Sequence, residues 1–290
     1  MTDSPLLVRA GSETEVAPGV FVFPDRRINL VPNVGVVVGD DAALVVDTGM
    51  GVANGDVVLA EARRLAGSRR LLLTITHFHP EHGYGASSFV EAAQIVYNAS
   101  QAAELAESGQ EFVEMFRTFG PEVAVALDGV ELVQPHDTYI GTTELDLGGR
   151  TVTLREEGGA HTAGDQVVLV GDAGVLFAGD LVENRFFSIV FGEVADGPAW
   201  IETLGRLERI GATIVVPGHG EVGGPELIAA FRAYLVDVRD SVAERAGRGE
   251  EVEQIAAELQ PEVRERYADW DNPEWIDFAI RNFHRKLAGD

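Results

Sequence analysis

The histidines of this chain are concentrated in a few short segments, and this placement limits what the chain can fold into. Five of the seven histidines lie in the segments THFHPEH, GGAHTAGD and VVPGHG, and a fourth segment, FAGDL, adds an aspartate. The candidate ligands, in chain order, are His77, His79, Glu81, His82, His161, Asp180 and His219. Imidazole nitrogens and carboxylate oxygens are the donors that borderline-soft divalent metals take. The fold is therefore expected to bring four distant segments together around metal.

The segment THFHPEH carries most of this argument. Apolar residues before it predict a buried strand over 71–76, so the first ligands lie at its carboxyl end. His77 and His79 are two residues apart and point to the same side of an extended chain. Glu81 and His82 follow a proline, where the chain turns, and are placed to face a second metal. The alternative is an ordinary polar turn in which the histidines only form hydrogen bonds.

The other segments repeat the same context. Apolar runs predict strands at 167–170, 175–177 and 214–216. The second run leads to Asp180 and the third leads to His219. Ligands at several strand ends favour a metal site over an accidental cluster of polar turns.

In order and spacing, these motifs resemble those of the metallo-β-lactamase-fold hydrolases over roughly residues 18–235. The resemblance implies an α/β fold, α+β by some schemes. It is a four-layer αββα sandwich of two similar β-rich halves, with the metals in a groove at one edge of the sheets. The sequence itself supports two halves, because VVVGDDAALVVDTG, around Asp47, is echoed by VVLVGDAGVLFAGD, which ends at Asp180.

The resemblance also implies two divalent metal ions per chain, with Zn²⁺ expected at both positions and iron or manganese as alternatives. The implied ligands are His77, His79 and His161 for the first ion and His82 and His219 for the second. Asp180 is implied to bridge the two ions.

Three further residues in or near these motifs have expected roles: Asp47, Glu81 and Tyr84. Asp47 matches a position that supports the site from behind. Glu81 departs from the family pattern, which has Asp there as a ligand of the second metal, so the longer side chain is expected to displace or weaken that site. Tyr84 lies close behind the motif, where a phenol can donate to a developing oxyanion; packing at the start of a helix is its alternative.

Composition excludes several classes of function. The 290-residue chain is 46% hydrophobic, enough for a large core. It has no cysteine, which excludes disulfides, thiolate metal sites and thiol nucleophiles. With 22 basic residues against 47 acidic ones and a net charge of -25, no basic track for nucleic acid is expected. No apolar run predicts a membrane span, and the start of the chain does not predict a signal peptide, so we expect a cytoplasmic protein.

Two segments are candidates for the walls of the groove. A helix is predicted over 99–119, with Phe112, Met115, Phe116 and Phe119 on one apolar face. That face either packs on the core or overhangs the metals and contacts substrate. Residues 184–187, Asn-Arg-Phe-Phe, are predicted to form a loop of the groove with polar and aromatic groups that orient substrate.

We predict a catalytic domain over residues 1–245 and a C-terminal helical extension over 246–290. An amphipathic stretch ending at Leu287 suggests that the extension packs on the domain or on a partner chain, so a homodimer is one arrangement.

The expected function is metal-dependent hydrolysis, in which a metal-bound hydroxide cleaves an ester, lactone, thioester or related bond of a small molecule. Asp180, Glu81 and Tyr84 are the candidate catalytic residues. Three alternatives stay open: a mononuclear iron oxygenase of the same fold acting on a sulfur substrate, a β-lactam hydrolase and a non-catalytic metal-binding protein. Asp180 at the bridging position resembles the esterase, thioesterase and glyoxalase II branches more than the β-lactamases.

Overall fold

The computed structural model describes residues 4–190 and 194–288. Residues 1–3 and 191–193 of the predicted catalytic domain and 289–290 of the predicted extension lie outside them. The first half of the chain forms one sheet, with strands in sequence order. They are β1 (Thr14–Ala17), β2 (Val20–Phe23), β3 (Val34–Val38), β4 (Ala42–Val46), β5 (Arg70–Thr74), β6 (Ala93–Asn98) and β7 (Asp137–Tyr139). β1 to β4 pair antiparallel, and β4 to β7 pair parallel.

The second half forms another sheet, in the order β12-β11-β10-β9-β8. Its strands are β8 (Thr142–Asp146), β9 (Thr151–Glu156), β10 (Gln166–Val170), β11 (Val175–Gly179) and β12 (Ile214–Pro217). Pairing is antiparallel except between β11 and β12. The hairpins β3-β4 and β10-β11 are both followed by a parallel strand, and this confirms the duplication predicted from the two similar sequence segments.

Helices cover the outer faces of both sheets. They are α1 (Gly51–Ala66), α2 (Pro80–Gly83), α3 (Ala99–Arg117), α4 (Pro121–Ala126), α5 (Gly197–Glu208), α6 (Glu226–Gly247), α7 (Val252–Arg266) and α8 (Ile276–Ala288). Short 3₁₀ helices cover Ala86–Phe89, Gly171–Ala173 and Pro273–Trp275. No helix within the described ranges is long and apolar enough to cross a membrane.

Neighbouring residues of one strand point to opposite faces, and this separates the core into layers. Val36 packs with α1 and α3 on the outside of the first sheet, whereas Val37 packs between the sheets. In the second sheet Phe177 points between the sheets and Leu176 points towards α5 and α6. Gly35 lets the sheets approach, because a Cβ there would lie 2.4 Å from the Phe177 ring. The predicted four-layer αββα sandwich is confirmed.

The structure changes two predicted details near the ends of elements. The ligand-bearing strand ends at Thr74 rather than at residue 76. Beyond it the backbone changes partners: the Thr76 amide donates to Asp47 Oδ1 at 2.7 Å, and its carbonyl accepts from the Gln166 amide at 2.9 Å. The apolar face of α8 ends at Phe283, because Leu287 is 52% exposed.

Candidate metal centre

The first four candidate ligands come from the segment that runs from the end of β5 through α2. His77 and His79 lie in the irregular segment after β5, and their rings are 4.6 Å apart between centroids. Pro80 occupies the first position of α2, where its missing amide hydrogen is not needed. Glu81 and His82 follow inside this short helix, and the His82 carbonyl accepts from the Thr48 amide at 2.7 Å. Because the chain turns at Pro80, the side chains of Glu81 and His82 point in a different direction from those of His77 and His79.

His161 lies in the loop that leads to β10, and Asp165 holds that loop in place. The Asp165 carboxylate accepts hydrogen bonds from the His161 amide at 2.7 Å and from the Thr162 hydroxyl at 2.6 Å. Burial raises the pKa of Asp165 to about 7, although these donors act in the opposite direction. The loop of His161 is thus fixed by backbone and side-chain hydrogen bonds before any metal is considered.

Asp180 and His219 sit at the ends of the parallel pair β11 and β12. Asp180 follows β11 directly, and His219 follows β12 after Gly218. A Cβ on Gly218 would lie 1.9 Å from Asp180 Oδ1, so only glycine allows the two loops to pass this closely.

Asp180 lies between two groups of ligand atoms, with one oxygen towards each. Its Oδ2 is 3.8 Å from His77 Nε2 and 3.6 Å from His161 Nε2. Its Oδ1 is 3.1 Å from His82 Nε2 and 3.8 Å from His219 Nε2. In the described chain the groups are His77, His79, His161 and Asp180, and Glu81, His82, Asp180 and His219, with ligand atoms within 4.8 Å of one another in each.

Hydrogen bonds fix the ring nitrogens that point away from Asp180. His82 Nδ1 lies 2.9 Å from Asp47 Oδ2, and His219 Nδ1 lies 3.0 Å from the carbonyl of Val31. His79 is turned the other way, with its Nδ1 3.0 Å from His161 Nε2. Such partners orient a histidine and leave the opposite nitrogen for a cation.

The residues present fit divalent metal ions. Within the described chain, His77 Nε2 and Glu81 Oε2 are buried without a hydrogen-bond partner, which is costly unless a cation takes them. Burial lowers the pKa of His77 and His79 well below the usual range, so both imidazoles are neutral, as metal ligands must be.

The carboxylates of the site differ in their electrostatics. Burial opposes ionisation of Asp180, but the neighbouring His82, which is the largest opposing influence, holds its pKa well below the usual range. Burial raises the pKa of Glu81 to about 7. A cation beside Glu81 would favour its ionised form, as an opposite charge does for any carboxyl group.

Five of the candidate ligands form the floor of a groove with a cavity volume of about 180 Å³; they are His79, Glu81, His161, Asp180 and His219. The described lining residues are His79, Glu81, Phe112, Met115, Phe116, Phe119, His161, Asp180, Glu183, Ile189, His219, Trp275 and Phe278. The predicted helix over 99–119 ends at Arg117, so Phe119 follows α3 rather than lying within it. Both interpretations of the apolar face hold: Phe116 is buried in the core, and Phe112, Met115, Phe116 and Phe119 all line the groove.

The sequence also matches a known family. Residues 28–219 match the sequence profile of the metallo-beta-lactamase superfamily, which is about two thirds of the chain. The chain belongs to this superfamily. Family and ligand groups together indicate a metal-dependent hydrolase with a site for divalent metal.

Two curated relatives of this superfamily member share less than a third of its residues over the aligned regions. The acyl-coenzyme A thioesterase MBLAC2 of Homo sapiens is 28% identical over 213 residues, which cover 67% of this chain and 75% of that protein. The linear primary-alkylsulfatase of Pseudomonas sp. (strain ATCC 19151) is 24% identical over 238 residues, covering 70% of this chain. The chain spans only 44% of the alkylsulfatase's length.

Solved structures show the same superfamily fold. The sec-alkylsulfatase Pisa1 from Pseudomonas sp. aligns with a TM-score of 0.74 at 14% identity, over 96% of this chain and 50% of that chain. A metallo-beta-lactamase from Pontibacter korlensis aligns with a TM-score of 0.63 at 21% identity, over 77% of this chain and 97% of that chain. At these identities the likeness concerns the fold alone.

Not every predicted residue of this metallo-beta-lactamase superfamily member reaches the groove. The Tyr84 hydroxyl donates to the carbonyl of Gly109 at 3.0 Å and joins α2 to α3. Its only hydrogen is thereby used inside the fold, so the oxyanion-stabilising role has no support in the geometry. Phe186 and Phe187 are buried rather than facing the groove, and Phe187 packs against Tyr234 of α6. The prediction that residues 184–187 orient substrate is therefore wrong for the two aromatic rings.

Four groove residues were missed from the sequence: Glu183, Ile189, Trp275 and Phe278. Glu183 lies three residues after Asp180, and this short spacing was the sequence signal that could have identified it. Burial, and then the charge of Asp180, hold the pKa of Glu183 well above the usual range. Trp275 and Phe278 come from the C-terminal extension. Their helical spacing was visible, but not the surface that they face.

Proposed function

We propose that the protein is a dinuclear zinc hydrolase that cleaves an ester, thioester, lactone or related bond of a small molecule. The observation that carries this proposal is Asp180, with one oxygen towards each of two ligand groups. A structural zinc site is closed by four protein ligands, whereas catalytic metal sites leave a position open. Here the ligands form the floor of a groove, where substrate has access.

When bound, divalent cations at this site supply Lewis acidity and lower the pKa of water towards about 7. The residues of the chain do the rest. His77, His79 and His161 would hold the first ion, and His82, His219 and Glu81 the second. Asp180 would join the two groups and accept a hydrogen bond from the attacking water. The apolar wall of the groove excludes bulk water from the floor, which strengthens electrostatic interactions there.

The two relatives support a choice of the bond that the enzyme cleaves. The thioesterase relative is matched over 75% of its length and the alkylsulfatase over 44%, so a carbonyl substrate such as an ester or thioester is the first choice. A sulfate ester is the second candidate, favoured by the alkylsulfatase match. We propose a small-molecule substrate rather than a nucleic acid because the net charge is -25.

The alternatives have less support from the site. A mononuclear iron oxygenase would leave the second group without a purpose, yet Glu81, His82 and His219 are buried together beside Asp180. β-Lactam substrates carry a carboxylate, and no Lys or Arg lines the described part of the groove. A non-catalytic metal-binding protein would not require the open groove above the ligands.

The test is an activity panel on the zinc-loaded full chain, with an ester, a thioester, a lactone, an alkyl sulfate and a β-lactam. We expect hydrolysis of at least one of the first three, lost with chelator and restored by Zn²⁺. The control is His284→Ala, which changes a histidine outside the metal centre and is expected to behave as wild type. Cleavage of the β-lactam alone, or no hydrolysis with the metal sites filled, would contradict the proposal.

A further inference from the structure

One wall of the groove is a continuous series of aromatic rings that starts at a metal ligand. His79 stacks on Phe112 with ring centroids 4.9 Å apart and an interplanar angle of 22°. Phe112 and Phe116 follow at 6.2 Å, and Phe116 and Phe119 at 4.9 Å. Phe119 is 47% exposed, so the series runs from the buried floor to solvent. A surface of this shape offers contact along a length of substrate rather than at one point.

The C-terminal extension adds to the same groove. Trp275 and Phe278 are half-buried and line it together with Ile189. Trp275 ends the 3₁₀ helix Pro273–Trp275, and Phe278 lies in the first turn of α8. Both residues lie outside the superfamily match, which ends at residue 219. This part of the wall therefore comes from the C-terminal extension, outside the region that the superfamily profile matches, and is suited to set specificity.

The charges of the groove restrict what this wall accepts. The charged lining residues in the described chain are Glu81, Asp180 and Glu183, all acidic and all on the floor. No basic side chain among the described lining residues is present to pair with an anionic group. Burying an unpaired charge against aromatic rings is strongly unfavourable. The part of the substrate that lies on the wall is thus uncharged.

We infer that the groove binds an extended, uncharged apolar acyl chain along the rings of Phe112, Phe116 and Phe119, and that Trp275 and Phe278 determine which chains fit. This inference rests on the hydrolase function proposed above, because it places the scissile carbonyl on the floor and the chain on the wall. Every methylene that leaves water on this wall contributes binding free energy, up to about fourfold in affinity.

Binding without turnover tests the wall directly. The probes are 2-hexanone and 2-decanone, uncharged ketones that cannot be hydrolysed, titrated calorimetrically into the zinc-loaded full chain. We expect Kd to fall by about threefold to fourfold per added methylene. Trp275→Ala, Phe278→Ala and Phe119→Ala should reduce this factor to less than about twofold. Phe119 is about half-exposed, so its variant is expected to fold. Leu287→Ala, on the exposed face of α8, is the matched control and should keep the full factor.

Equal affinity of wild type for both ketones, or an undiminished factor in all three wall variants, would overturn the inference. Turnover then separates it from the proposed function. Octanoyl thioesters should be cleaved at least about tenfold more efficiently in kcat/KM than acetyl thioesters, or than thioesters of the same length ending in a carboxylate. If affinity rises along the ketone series but no ester is turned over, the hydrolase function is refuted and the apolar binding wall is supported. If esters are turned over without dependence on chain length, the hydrolase function is supported and the apolar binding wall is refuted.

Discussion

At the residue scale, the site is organised by what each histidine does with its second nitrogen. His82 and His219 each have Nδ1 beside an oxygen of the fold, from Asp47 and from the carbonyl of Val31. Their Nε2 atoms face Asp180 instead. The orientation of both rings is therefore supported by hydrogen bonds from the fold itself.

His161→Ala is predicted to remove most of the metal from the first group and nearly all hydrolytic activity while the fold persists. The reason is that His161 is one of few ligands of one ion, whereas its loop is held independently by Asp165. Inductively coupled plasma analysis and circular dichroism check both parts, with His284→Ala as the matched histidine control. Unchanged metal content in His161→Ala would contradict the ligand assignment.

Gly218→Ala is predicted to lower metal content at both groups, because the new Cβ would lie 1.9 Å from Asp180 Oδ1. The backbone of Gly179 is 2.8 Å from the same position, so neither loop can move away freely. Metal analysis after dialysis checks the result. Gly247→Ala is the control, since its Cβ would meet no atom within 4 Å. Normal metal content in Gly218→Ala would show that the close passage of the loops is not needed.

The role of a site residue could be predicted from the sequence where its side chain has a specific chemistry, such as metal binding. The residues of the two candidate ligand groups could be predicted because imidazoles and carboxylates follow apolar runs. Tyr84 was assigned a role that the geometry does not support, because its acceptor, the carbonyl of Gly109, comes from α3 and no local signal announces it. Side-chain hydrogen bonds to backbone groups far along the chain leave no pattern in a single sequence.

At the element scale, the predicted strands and helices around the site agree closely with the structure, because long apolar or periodic runs define them. Their ends were less predictable. β5 stops at Thr74 although the apolar run continues to Ile75, because Asp47 and Gln166 take over the backbone of Thr76. The end of a strand is decided by these tertiary hydrogen bonds.

Phe283→Ala in α8 is predicted to lower the free energy of unfolding by about 3–5 kcal/mol, the usual cost of removing a buried phenylalanine. The ring is 1% exposed and fills the space at Gly197, where a Cβ would lie 2.5 Å from it. Urea unfolding measures the change, and Leu287→Ala should stay within about 0.5 kcal/mol of wild type. A comparable stability of Phe283→Ala and Leu287→Ala would show that α8 is not part of the core.

At the scale of the whole molecule, the extension completes the fold instead of forming a separate layer. Ile276, Ala279 and Ile280 are buried in the cluster that also contains residues of α5 and α6. The predicted boundary at 245/246 falls inside α6, which runs to Gly247. An apolar face on this segment could be predicted from the sequence, but an apolar face alone does not identify the surface that covers it. A homodimer, in which a partner chain would contact the extension, stays a prediction.

The dinuclear site is tested most directly by the number of metal ions per chain and its dependence on Glu81. Glu81 belongs to the second ligand group although its side chain is one methylene longer than the family's aspartate. Glu81→Gln replaces an anionic oxygen by a neutral amide, a poorer ligand for a divalent cation. Glu81→Asp restores the family residue and should keep the second ion.

The measurement is inductively coupled plasma analysis of the full chain after saturation with Zn²⁺ and removal of free metal. We expect about two zinc ions per wild-type chain, as a pair of ligand groups sharing Asp180 requires. In Glu81→Gln we expect a loss towards about one ion, with hydrolysis falling in parallel. One ion per wild-type chain at saturation, with Glu81→Gln unchanged, would contradict the dinuclear site.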